Sequence, residues 1–139
     1  MATTTAAFIT SIISTLSVTG VKRKYTEPPA SLSTADLPAS FPYGFRRTQQ
    51  PMTFGAHGGW PELELDIFIA CEPVAQNTPP ANYAQVQAMA DNLDAALRAS
   101  LPLAIAKGPV TWEIFGGNQQ LEIAGVAYWV VRATVIGHG

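Results

Sequence analysis

The segment Glu62-Leu63-Glu64-Leu65-Asp66-Ile67-Phe68-Ile69 alternates without a break. A strand throws successive side chains to opposite sides, so Leu63, Leu65, Ile67 and Ile69 share one side while Glu62, Glu64, Asp66 and Phe68 share the other. Four aliphatic residues in a row need a cover, and three carboxylates need water or counter-ions. The chain is therefore committed to a sheet with one face buried under a second layer.

Two segments have the spacing to supply that layer. Phe8, Ile9, Ile12, Ile13 and Leu16 recur at helical intervals, with Thr3 to Thr5 as capping residues and Gly20 as a stop, which predicts a helix of about three turns. Tyr83, Val86, Ala90, Leu93, Leu97 and Leu101 form one stripe, with Met89 and Ala96 beside it; Asn82 can cap this helix and Pro102 closes it near residue 100. Further strands are expected over residues 21–26, Val110 to Phe115, Leu121 to Ile123 and Gly125 to Ile136. Gly116-Gly117-Asn118 reads as the turn between the second and third of these. The elements mix without βαβ repetition. The expected fold is α+β: a mixed, mostly antiparallel sheet of four to six strands packed by two helices on one face. A chain of 139 residues fits a single domain, 1–139.

Between the first strand and the alternating one lies a proline-rich stretch. Pro28, Pro29, Pro38 and Pro42 hold their own φ and push the preceding residues into extended backbone. Residues 27–42 read as a stiff arm with no partner inside its own segment, and 43–61 as an extended hairpin or loop with Pro51 near an edge. Charged residues make up only 13% of the chain while 47% is hydrophobic, against about 25% charged in ordinary domains. Such a surface suggests cover by other subunits.

Chemistry-bearing groups are sparse. His57, in Gly55-Ala56-His57-Gly58-Gly59, could act as a general base in a small-ligand enzyme or binding domain together with the acidic strand, but no nucleophile stands at a motif spacing from it. His138 is penultimate. Glu62, Glu64 and Asp66, with alternate positions about 7 Å apart, could pair as acids or hold calcium; a solvated strand face is the commoner outcome, and a pore wall that repels phosphate is a third. Lys22, Arg23, Lys24, Arg46 and Arg47 make no broad basic face in a chain of net charge −2, which argues against nucleic-acid binding. Cys71 is the only cysteine, so neither an internal disulfide nor a cysteine zinc site is available. Trp60, Trp112 and Trp129 read as core or interface aromatics. No apolar run approaches the roughly 18 residues of a membrane helix.

The run Tyr25-x-Glu27-Pro28-Pro29-x-Ser31-Leu32, followed by Ala35-Asp36-Leu37-Pro38, behind a short helix and strand, resembles tail terminator (tail completion) proteins of long-tailed bacteriophages. The later order of acidic strand, amphipathic helix and strand pair is similar too. The resemblance implies a virion structural protein without enzymatic activity or cofactor, assembled as a six-membered ring at the tail neck after synthesis in the host cytoplasm. The ring would cap the tail tube protein, stop elongation and offer the surface that joins the head-completion or connector protein, with DNA only passing through its lumen. Subunit contacts are then expected from Tyr25, Glu27, Pro28, Pro29, Leu32, Leu37, Phe41, Tyr43, Phe45, Arg46 and Arg47, and Glu62, Glu64 and Asp66 are the expected channel lining. A head–tail connector and a tail tube protein are the neighbouring alternatives.

Overall fold

A computed structural model of the chain describes residues 4–48, 62–74, 83–100, 110–116 and 119–138. In chain order the elements are helix α1 (Thr5–Thr15), strand β1 (Arg23–Lys24), a 3-10 turn (Thr34–Asp36), β2 (Ala39–Thr48), β3 (Glu62–Pro73), α2 (Tyr83–Ser100), β4 (Thr111–Phe115), β5 (Gln120–Ile123) and β6 (Val126–His138). The six strands form one mixed sheet in the order β1-β2-β3-β6-β4, with β5 also paired to β6. Only β1 and β2 run parallel; every other pairing is antiparallel. This is the α+β arrangement expected from the periodicity.

The alternation of β3 does what its spacing demands. Leu63, Leu65, Ile67, Ile69 and Cys71 are buried with Val131, Ala133 and Val135 of β6, under Phe8, Ile12, Ile13 and Leu16 of α1 and Val86, Met89, Leu93, Ala96 and Leu97 of α2. Both helices therefore cover one face. Each large side chain sealed there contributes about 1.5–3 kcal/mol. Thr4 caps α1 by accepting from the Ala7 amide at 3.1 Å, and the Lys24 ammonium donates to the Leu16 carbonyl at 2.6 Å, satisfying an orphan acceptor at the helix end. Gly20 lies beyond that end rather than at it, at φ 90°, where a Cβ would sit 2.6 Å from Met89 Cε. It lets the chain after α1 press against α2, where the Asn92 amide donates to the Thr19 carbonyl.

Four expectations need correction. The arm expected over residues 27–42 does not run its full length, because its last residues lie in the sheet. Ala39 to Pro42 already belong to β2, hydrogen-bonded between β1 and β3. Leu37 and Phe41, expected at a subunit contact, are buried in a second cluster with Ala39, Phe68, Ala70, Ile123, Tyr128 and Val130; Tyr25 and Leu32 pack against it. The Tyr128 hydroxyl donates to the Leu32 carbonyl at 3.2 Å. The prolines extend the chain, but the apolar residues among them find cover on the sheet's second face, so burial decides where the segment lies. Second, the expected strand 21–26 shrinks to the two residues that β2 can pair. Third, Tyr83 leaves the stripe of α2 and is 52% exposed. Finally, β4 and β5 do not pair across Gly116. Both lie along one edge of β6, β4 against 132–136 and β5 against 126–129. The tight hairpin is β5–β6, turning at Ala124 (φ 52°) and Gly125 (φ 81°), the two positive φ values of a type I′ turn. The caps Asn82 and Pro102, and Pro51, lie outside the described residues.

Candidate interaction surfaces

The second face of the sheet is divided. One end is closed by the cluster around Phe41 and Phe68. There the Phe41 and Phe68 rings stack at 6.1 Å and Tyr43 stands edge-on to Phe68 at 5.6 Å. The other end is open and polar. Register places Arg46 opposite Glu64, and Asp66 opposite Thr134. Arg46 Nη2 is 2.8 Å from Glu64 Oε2 and 3.7 Å from Glu62 Oε1. The angles at Glu64 Oε2 do not make a hydrogen bond, so the contact is ionic. Asp66 Oδ1 accepts from the Thr134 hydroxyl at 2.8 Å and lies 3.6 Å from Arg132 Nε. Arg132 also spreads over the Phe115 ring at 5.4 Å. A Cβ on Gly44 would stand 3.2 Å from Asp66 Oδ2, so the bulge in β2 leaves room for that carboxylate.

Glu62, Glu64 and Asp66 thus do share a face, as the alternation requires. They are not a bare acidic row, because a guanidinium answers them from each flanking strand. With Glu113 on the same face by register, four carboxylates meet two arginines, which leaves the patch net negative.

The helix-covered face carries a different feature at its edges. The pairs Phe45–Leu65, Leu65–Val135 and Val135–Trp112 form one row across the sheet. Its middle is buried and its ends are not. Phe45 is 64% exposed on β2, with Arg47 two residues along on the same side. At the far end, α2 and β4 flank an open groove of about 310 Å³ lined by Ala90, Asp91, Asp94, Trp112 and Ile114. The Trp112 indole donates to Asp94 Oδ1 at 2.9 Å and Arg98 Nε to Oδ2 at 2.9 Å. The Trp112 hydrogen bond, ahead of the help from Arg98, holds the Asp94 carboxyl below its ordinary value, against a smaller opposing effect of burial.

Of the expected contact residues, Tyr43, Phe45, Arg46 and Arg47 stand exposed at the outer half of β2, Glu27 and Pro28 are exposed and Pro29 is half-buried. Leu37 and Phe41 are consumed by the core, and Tyr25 and Leu32 by packing on it. His57 and Trp60 lie outside the described residues, so the general-base reading has no geometry to stand on. Cys71 is buried, and burial pushes its thiol up to about 12 with help from Glu72; it is no nucleophile. Among the described residues no cluster of three His, Cys, Asp or Glu side chains could hold a metal ion, and no helix is long and apolar enough to cross a membrane.

Comparison with known proteins gives no match, either to a family model or to a curated sequence.

The residues that sequence reasoning passed over are Asp94, Arg132, Thr134 and Phe115, and it read Trp112 as an aromatic without its role as a hydrogen-bond donor. Asp94 reads as one more outward-facing charge on α2, and its Trp112 partner is 18 residues away. Only the pairing of β4 with β6 brings them together.

Proposed function

We propose that this chain is a virion structural protein of the tail-terminator kind, which closes into a ring on the tail tube, ends its growth and presents the head-joining surface. The carrying observation is the outer half of β2. Its residues 45–48 pair with β3 along one side and, among the described residues, with no strand on the other, and Tyr43, Phe45, Arg46 and Arg47 are all exposed there. Exposed aromatic residues and arginines on one edge strand are the composition of protein contacts. The low charge content and the resemblance across residues 21–38 point the same way. Because 37–42 belong to the core, the intersubunit role falls on 43–48 rather than on the proline segment. The net-negative open half of the second face is the proposed channel wall, where like charge keeps DNA from adhering.

The test is size-exclusion chromatography with light scattering, on the protein alone and after mixing with purified tail tubes, followed by electron microscopy. A discrete ring, free or at tube ends, is the expected result. A strict monomer that never decorates tubes overturns the reading, and long self-assembled tubes would assign the chain to tube proteins instead.

A further inference from the structure

Phe45 and Trp112 are level with each other at opposite edges of the same sheet face. They are three strand spacings, about 14 Å, apart, so one copy cannot bring them together. Phe45 and Arg47 form an apolar and cationic pair on one side of β2. The open groove on α2 and β4 is lined by the apolar Ala90, Trp112 and Ile114 and the acidic Asp91 and Asp94. Asp94 is already held by Trp112 and Arg98, so its carboxylate is fixed in place and ionised. Asp91 is exposed beside it. The charges are opposite, and the two features differ from each other.

We propose that Phe45 and Arg47 of one copy dock into the Ala90–Asp91–Asp94–Trp112–Ile114 groove of a second copy of this chain. The proposal rests on the ring reading above and specifies its contact. Phe45 fills the groove over Ala90 and Trp112, and Arg47 meets Asp91. Since donor and acceptor sit at the two ends of one cross-strand row, neighbours are related by a sideways step along that row. Such a contact is head-to-tail: each copy uses one edge to bind and leaves the other edge free, so copies are added until the rotation closes the ring. Arg46 takes no part, because it points to the opposite face.

The test mixes two full-length variants, Phe45→Cys and Ala90→Cys, under mild oxidation. Cys71 does not compete, since its buried thiol stays protonated. A disulfide-linked dimer that appears in the mixture and in neither variant alone is the expected result. In parallel, Arg47→Glu weakens assembly by at least about tenfold in dissociation constant, and Asp91→Arg added to Arg47→Glu recovers most of it. Discrete rings that persist in every variant, with no mixed disulfide, overturn this contact and leave the ring reading standing. A dimer of Phe45→Cys with itself overturns the head-to-tail geometry. A wild-type chain that stays monomeric alone and with tail tubes removes both.

Discussion

Asp94 has its two oxygens held by different elements, Oδ1 by Trp112 of β4 and Oδ2 by Arg98 one helical turn along α2. The indole hydrogen bond favours the carboxylate, so the folded-state pKa is lowered. A lowered carboxyl contributes stability above its unfolded pKa of about 3.9, and loses it as pH falls through the lower folded value. Trp112→Phe keeps the ring and removes the donor. The variant should be less stable than wild type at pH 7, and the gap measured by urea unfolding should narrow as pH drops below about 4. A gap that is constant with pH would place the effect in packing alone. Trp112 matters here as a donor as much as an aromatic, a role that composition does not reveal.

The elements differ in how plainly they could be read. Helix α2 was legible from its stripe, and Tyr83–Ser100 matches the expected span because one face carries the core and the other carries Gln and Asp. Leu93 is fully buried there; Leu93→Ala should cost about 2–5 kcal/mol in chemical denaturation, depending on how far the cavity collapses. Strand β3 was legible for the same reason. The segment 37–42 was not, because its prolines speak for extended backbone, and extended backbone serves a free arm and a buried strand equally. Only the long-range cover from Ile123, Tyr128 and Val130 distinguishes them. The β5–β6 turn was missed for a local reason: Ala124 is not a residue that advertises φ 52°. Ala124→Asn suits that backbone better and should raise stability by about 0.5–1 kcal/mol, read as a higher thermal midpoint.

For the whole molecule, the two faces of the sheet divide the labour. The helix-covered face holds most of the core, and its two edges carry the complementary features proposed to join copies. The opposite face is sealed at one end by residues from before and within β2, and remains charged at the other. The candidate site was partly legible: Tyr43, Phe45, Arg46 and Arg47 were readable as an interleaved aromatic and basic strand, whereas the groove proposed to receive Phe45 and Arg47 needs α2 and β4, which are separate in the chain. The pairing at the centre of the sheet also sets a kinetic condition. Glu62 meets His138 and Pro73 meets Tyr128, so the β3–β6 ladder joins positions 55 to 76 residues apart. No local hairpin can nucleate it, and loop-closure entropy comes due before the ladder returns any stabilisation. Stopped-flow refolding should therefore show helix signal forming early and the native fluorescence of Trp129 arriving on a scale of about milliseconds to seconds. Unjoined chains spend that interval with β6 open, the stage at which a second chain could pair with its edge.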